Sequence, residues 1–148
     1  MGSISSLPAL HRGARADHSR FVQRIRRRYG GELPLLAEGL PTRDAIDTLI
    51  EQLLTNGRPL ASAMRVARQL VLERLAVLDV EQGALMPDIT RAMTELAEAT
   101  LDRALAQARA DHDARFGVPR NASGVRCGGV DIGSGATSGL KRPRPATP

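Results

Sequence analysis

Apolar residues recur at helical spacing through most of the first 117 positions, and this periodicity predicts an all-α fold. The first predicted helix begins at Asp17 or Ser19, either of which suits an N-cap, and ends at Gly30-Gly31 in a left-handed C-terminal cap. Its apolar face carries Phe21, Val22, Ile25 and Tyr29.

A second helix is predicted to follow Thr42, which stands after Pro41 as an N-cap, and to close at Asn56-Gly57. Its apolar positions recur at i, i+4 spacing: Ala45, Ile46, Leu49, Ile50, Leu53 and Leu54.

Two longer helices follow, one from near Pro59 to about Leu78 and one from Pro87 to about Phe116. The predicted buried seam of the third helix is Met64, Ala67, Val71, Leu75 and Leu78. The predicted seam of the fourth is Ile89, Met93, Leu96, Thr100, Leu101, Ala104, Leu105 and Ala108. On the outer face of the fourth helix we expect i, i+4 ion pairs between Glu95, Glu98 and Asp102 and the residues Arg91, Arg103 and Arg109.

Together these segments predict a bundle of three to four helices over residues 17–117. Residues 1–16 and 118–148 lack periodicity, and we expect a disordered N-terminus and a linker with a disordered Gly/Pro-rich tail. Aromatic residues are nearly absent, so the core must be built from Leu, Ala, Val, Ile and Met. Ala-rich helices approach closely but supply little apolar area per residue.

The net charge of +5 divides unevenly along the chain. Residues 1–30 carry +6, residues 31–114 carry −6 and residues 115–148 carry +5. A nucleic-acid-binding protein concentrates positive charge on its folded surface. The acidic body therefore argues against nucleic acid as a partner.

Two groups of arginines are candidate contacts to a partner or a further domain. The first lies opposite the apolar face of the first helix, where Arg26 accompanies Arg24, Arg27 and Arg28. The alternative for this group is a solvated helix end, where positive charge is favourable. The second comprises Arg65, Arg68 and Arg74, which we expect to pair with Glu73, Asp79, carboxylates of the last helix or a group outside this chain.

Several other motifs predict no site. Adjacent residues of a helix point about 100° apart, so Asp111-His112-Asp113 cannot converge on one metal ion. Gly128 to Gly139 lacks the strand, the Gly-Lys-Ser/Thr ending and the helix of a phosphate-binding loop. The single Cys127 excludes an internal disulfide, and no apolar run is long enough for a membrane span or a signal peptide. We therefore expect a cytoplasmic protein with no membrane contact.

Four segments, in order, resemble the helical region that precedes the catalytic domain of the bacterial glutamine synthetase adenylyltransferase family. They are Ser19-Arg20-Phe21-Val22, Met64 to Arg68 with Arg74-Leu75-Ala76, Leu96-Ala97-Glu98-Ala99, and Gly117 to Gly124. The last is similar to the family's Gly-x-Pro-x-Asn-Ala-x-Gly link. Val66, Ala67 and Val77 depart from the second Arg, the Phe and the Trp of the family's Arg-rich helix.

The resemblance implies adenylylation and deadenylylation of glutamine synthetase under control of the PII signalling protein, with ATP and magnesium as cofactors. In the family, a Gly-Lys-Leu-Gly turn and an Asp-x-Asp pair follow the link, and the two carboxylates hold the metal ions. Neither motif follows Arg126 here, and Asp131 stands without a second carboxylate. We therefore assign no catalytic, cofactor-binding or metal-binding residue and expect the chain alone to be inactive.

The change of composition near Arg126 predicts a truncated or frame-shifted product of such a gene. Glutamine synthetase and PII are partners by resemblance only, and apolar helix faces left uncovered would favour self-association. Two alternatives remain: a small basic helical protein that binds nucleic acid through Arg20 to Arg28 and Lys141 to Arg144, and a regulatory module that still docks on glutamine synthetase or PII.

Overall fold

A computed structural model of the protein describes residues 15–124, and within that range the fold is helical. The elements are a 3-10 turn (Ala16–His18), α1 (Arg20–Tyr29), a second 3-10 turn (Leu33–Leu35), α2 (Arg43–Thr55), α3 (Leu60–Gln82) and α4 (Met86–Phe116). The predicted all-α bundle is confirmed. The disorder predicted for residues 1–14 and 125–148 lies outside the described residues.

The described chain divides into two compact units, residues 15–105 and residues 106–124. In the second unit, the rings of His112 and Phe116 lie 4.8 Å apart at the end of α4. The link beyond them forms a turn, in which Asn121 accepts a hydrogen bond from the backbone N–H of Ser123 and Arg120 donates to the carbonyl of Gly124.

In the first unit, α3 packs against both α1 and α2. This position explains why α3 buries residues around much of its circumference rather than along one stripe: Ala63, Val66, Ala67, Leu70, Val71, Glu73, Leu75 and Leu78. From α2, four fully buried side chains join this core: Ile46, Leu49, Ile50 and Leu53. Ile25 of α1, Leu36 and three residues of α4 complete the cluster.

The helix starts confirm two predicted N-caps. Ser19 accepts a hydrogen bond from the backbone N–H of Val22 at 3.5 Å, and Thr42 accepts one from Ala45 at 3.3 Å. Ala16 also belongs to the fold, because it is buried and its backbone N–H donates to Oε1 of Glu81 at 2.9 Å.

α1 ends at Gly30 as predicted, but the left-handed conformation predicted there was wrong, and the predicted end of α3 was one turn too early. Gly30 is right-handed, with φ −57°. What favours glycine there is space, because a Cβ at this position would lie 2.8 Å from the backbone oxygen of Arg26. α3 ends in a left-handed cap at Gly83, where φ is 62°. The helix therefore runs one turn beyond Leu78, to Gln82.

The predicted seam of α4 is confirmed at Leu96 and, half-buried, at Ile89, but it was wrong at Met93 and Leu101. The residues that α4 buries are Ala92, Leu96 and Ala99, whereas Met93 is 49% exposed and Leu101 is 62% exposed. The side of α4 that packs on the core therefore carries Leu96 between Ala92 and Ala99, and it is rotated from the side that carries Met93 and Leu101. The seam of α3 was closer, with Ala67, Val71, Leu75 and Leu78 buried and Met64 half-buried.

For Glu98, Asp102 and Arg103 of α4, the ion pairs observed are with α2. Arg43 contacts Asp102 at 2.6 Å and Glu98 at 3.9 Å. Arg103 contacts Asp47 at 3.1 Å and Glu51 at 2.6 Å. Arg43 of α2 and Arg103 of α4 thus each reach carboxylates of the other helix.

Candidate anion-binding cleft

A cleft of about 620 Å³ lies where the end of α1, the α2–α3 connection and the first half of α3 meet. Guanidinium groups come from all three segments: Arg28 from α1, Arg58 from the connection, and Arg65 and Arg68 from α3. The remaining lining residues are Tyr29, Ser62, Val66 and Gln69. The lining contains no carboxylate, so the cleft has a strongly positive potential.

Most of the positive charge in the cleft is not neutralised. Arg58 forms an ion pair with Glu32, and Arg28 lies over the ring of Tyr29 at 5.4 Å. Within residues 15–124, no carboxylate is found in an ion pair with Arg28, Arg65 or Arg68. An anion entering the cleft would therefore meet three guanidinium groups with free donors.

The start of α3 adds to this potential. Pro59 caps the helix without a side-chain hydrogen bond, and Ser62 in the first turn lines the cleft. The first backbone N–H groups of a helix carry partial positive charge and bind anions.

The structure brings together three of the six predicted arginines and separates the others. Arg24 lies over the ring of Phe21 at 5.9 Å on the exposed face of α1, and Arg27 is exposed nearby. Arg74 is structural: it donates to the backbone carbonyls of Ala37 at 2.9 Å and Leu36 at 3.4 Å. Among the described residues, Arg74 is therefore held by these carbonyls and is not found in an ion pair with Glu73, Asp79 or α4.

Sequence reasoning missed Arg58 as a site residue. Arg58 follows Asn56-Gly57, which end α2, so the local sequence pattern identifies Arg58 only as part of the connection between α2 and α3. Its place in the cleft depends on how α1 and α3 pack, and no local signal reports that packing.

Arg26 has a different role from its neighbours in α1. Its Nε donates to Oε1 of Glu73 at 2.7 Å, and it also pairs with Asp17. The hydrogen bond to Glu73 is the main cause that raises the pKa of Arg26. This arginine joins α1 to α3 and is not available to a ligand.

The ion pairs between α2 and α4 shift the pKa values of the side chains that form them. Burial acts to raise the pKa of Asp47, but the hydrogen bonds from Arg43 and Arg103 outweigh it and hold that pKa below its ordinary value. Hydrogen bonds to Asp102 and Asp47 raise the pKa of Arg43. These contacts make the α2–α4 surface a neutralised network rather than a binding site.

A second surface is apolar. Met86, Met93 and Leu101 are exposed and recur at spacings of seven and eight residues, which places them within one band of α4. Leu85, exposed just before α4, lies at the same end as Met86. We call Met86, Met93 and Leu101 the apolar stripe.

The described residues do not fit the magnesium ions that the resemblance implies. Between residues 15 and 124, no group of three or more His, Cys, Asp or Glu side chains is placed to hold a metal ion. Asp131 and the Gly128 to Gly139 segment lie outside the described residues. In the same described range, no helix is long and apolar enough to cross a membrane.

The fold and its surfaces thus define a class: an all-helical module with a basic cleft and an exposed apolar stripe. Over 104 residues the chain is 36% identical to the "Bifunctional glutamine synthetase adenylyltransferase/adenylyl-removing enzyme" of Burkholderia mallei (strain ATCC 23344). The protein of the same name from Burkholderia pseudomallei (strain K96243) matches with the same identity and length.

The aligned segment makes up 66% of this chain, and the chain spans about a tenth of the length of these relatives, 11% in each case. The similarity confirms the resemblance of the chain to part of a glutamine synthetase adenylyltransferase. No protein-family model matches the chain, and no solved structure matches it.

Proposed function

We propose that the helical bundle is a docking module of the glutamine synthetase adenylyltransferase type that does not transfer nucleotides by itself. The similarity to two such enzymes over 104 residues supports the type. The sequence supports the second part of the proposal, that the bundle does not transfer nucleotides by itself, because neither the Gly-Lys-Leu-Gly turn nor an Asp-x-Asp pair follows Arg126. What the described helices themselves offer is their surfaces.

The apolar stripe is the observation that carries the docking role. Along one band of α4, three large apolar side chains are exposed to water: Met86, Met93 and Leu101. Contiguous exposed apolar area on a folded protein is typical of a protein interface. Methionine is well suited to such a surface because its flexible thioether adapts to the partner.

Glutamine synthetase is the partner that we propose first, because the relatives' name gives it as their substrate. PII is a second proposed partner, supported by the family resemblance alone. The proposed role is in the control of nitrogen assimilation and takes place in the cytoplasm, which agrees with a chain of 148 residues that has a single cysteine.

The docking role is tested by measuring binding of the full chain to immobilised glutamine synthetase by biolayer interferometry. We expect saturable binding that the double substitution Met93→Lys/Leu101→Lys weakens by about tenfold or more, since two buried apolar contacts are lost. The matched control is Gln52→Lys/Gln82→Lys, which adds the same charge at exposed positions of α2 and α3 and leaves binding unchanged. Equal binding of both variants would reject the apolar stripe as the contact surface, and absence of binding by the unsubstituted chain would reject this partner.

Nucleic acid binding is a second candidate function, favoured by the exposure of Arg24, Arg27 and Arg28 on α1. Such binding falls steeply with salt, by about 10³-fold or more between 50 and 200 mM when six phosphates are contacted. A labelled oligonucleotide titrated at both salt concentrations tests it. The neutralised α2–α4 surface offers no continuation for this basic face, which is why docking on a protein is our first choice.

A further inference from the structure

The cleft between α1 and α3 has no part in the docking role, yet arginines from three segments of the chain line it. Four guanidinium groups line it, and among them only Arg58 is held by a carboxylate, that of Glu32. Guanidinium groups repel one another when they share a small volume. An anion bound between them would offset this repulsion.

The lining residues decide the chemistry of that anion. Val66 is the one aliphatic side chain that lines the cleft, so an apolar ligand finds little area to bury. The hydroxyl groups of Tyr29 and Ser62 and the amide of Gln69 add hydrogen-bond donors. With no carboxylate in the lining, a cation is excluded as well.

The arrangement of the arginines indicates how many acceptor atoms the ligand needs. Arg65 and Arg68 are three residues apart in α3 and project from one face of that helix. Arg28 and Arg58 approach from two other segments, so the donors surround the cleft. Each guanidinium group prefers two acceptor oxygens, in the fork geometry that phosphoryl oxygens match. A single phosphate group does not supply oxygens for four such forks.

We propose that this cleft binds a small anion with two or more linked phosphoryl groups. The volume of about 620 Å³ lies within the range of small-molecule sites. The backbone N–H of Ser62 already donates to the carbonyl of Pro59, so what this first-turn residue of α3 offers the ligand is its hydroxyl group. The bound phosphates hold the end of α1 against α3 and so stabilise this side of the bundle.

Isothermal titration calorimetry of the full chain with inorganic tripolyphosphate tests this proposal. We expect one saturable site, weakened about tenfold or more in Arg65→Gln/Arg68→Gln, because each substitution removes charge-assisted hydrogen bonds. These arginines are exposed and unpaired among the described residues, so the variant keeps its helical circular dichroism. The control Arg20→Gln/Arg91→Gln removes the same charge outside the cleft and binds normally.

Two further measurements separate the cleft from a diffuse charge effect. Arg68→Lys keeps the charge but loses the fork, so we expect affinity between those of the native chain and Arg65→Gln/Arg68→Gln. A nucleoside triphosphate is titrated in parallel. Equal affinity identifies the phosphate chain as the ligand, and tighter binding shows that a base also enters the cleft.

The proposal is overturned if tripolyphosphate does not bind, or if the cleft variant and its control lose affinity equally. Binding of an oligonucleotide in the absence of tripolyphosphate binding also overturns it, in favour of an extended nucleic-acid surface. None of these outcomes depends on glutamine synthetase, so the docking role and the cleft are tested separately.

Discussion

Glu73 is the charged side chain that the described part of the protein buries most completely, with 4% of its surface exposed. A carboxylate in the core is destabilising unless a hydrogen-bonded cation accompanies it. Arg26 meets this need through the bond from its Nε, and Asp17 in turn holds the guanidinium group. This contact joins α1 to α3 at one defined register.

We predict that Arg26→Ala lowers the free energy of unfolding by about 1–3 kcal/mol, because it leaves the buried carboxylate of Glu73 without its donor. Arg27→Ala, at the next and exposed position, should change it by less than about 0.5 kcal/mol. Urea unfolding followed by circular dichroism measures both. In the Arg26→Ala background, Glu73→Gln should recover part of the loss, since a neutral amide needs no cation. Equal effects of the two arginine substitutions would contradict this role.

Asp47 makes stability depend on pH. Its pKa in the folded state lies below its ordinary value, so near pH 4 the unfolded chain binds more protons than the folded one. The stabilisation from Asp47 is therefore complete above its ordinary pKa and is lost as pH falls through the lower folded pKa. Asp47→Asn should accordingly lose less stability than the native chain between pH 6 and pH 3. The exposed Asp79→Asn is the control, and a pH profile of unfolding that Asp47→Asn leaves unchanged would contradict the assignment.

At the scale of elements, α4 shows how tertiary packing overrides an apolar pattern. The predicted seam of α4 included Met93 and Leu101, which are exposed. The residues of α4 that are buried are Ala92, Leu96 and Ala99. On this side of α4, Arg103 reaches Asp47 and Glu51 of α2. The side of α4 that faces the core therefore depends on the shape and charge of α2 as well as on the apolar pattern of α4 itself.

A pair of identical substitutions separates the two sides of α4. Leu96→Ala, at a position 6% exposed, should lower the free energy of unfolding by about 2–5 kcal/mol through lost burial and a residual cavity. Leu101→Ala should change it by less than about 0.5 kcal/mol because this side chain is already in water. Thermal or urea unfolding checks both. A larger effect at Leu101 would restore the side predicted from the sequence.

Local sequence signals were sufficient to predict where helices start, but they did not predict every helix end correctly. Ser19 and Thr42 cap their helices through bonds to residues three positions away, and such bonds can be read from sequence alone. Gly30 and Gly83 look alike in sequence, yet only Gly83 has a positive φ. The chain past α1 continues into the turn at Leu33–Leu35, and that path keeps Gly30 right-handed.

At the scale of the whole molecule, the fold class followed from periodicity but the cleft did not. Arg28, Arg65 and Arg68 were candidates from local pattern, as members of two separate groups. That they face one another, with Arg58 beside them, depends on the packing of α1 on α3. Arg74, equally prominent in the sequence, instead fixes the backbone at Leu36 and Ala37.

The apolar stripe also predicts self-association. At high concentration and without a partner, stripe-to-stripe contact buries the exposed side chains of Met86, Met93 and Leu101. We expect sedimentation velocity to show a concentration-dependent rise in mass that Met93→Lys/Leu101→Lys abolishes and Gln52→Lys/Gln82→Lys retains. A monomer at all concentrations, with unchanged helix content, would show that the stripe does not pair with itself.

The most direct test of docking without catalysis is the rate at which a full-length adenylyltransferase labels glutamine synthetase with AMP in the presence of excess chain. We predict that the chain slows labelling in a dose-dependent way, that Met93→Lys/Leu101→Lys does so much less, and that the chain alone transfers no label. Labelling unaffected by saturating chain, or transfer of label by the chain alone, would contradict the account.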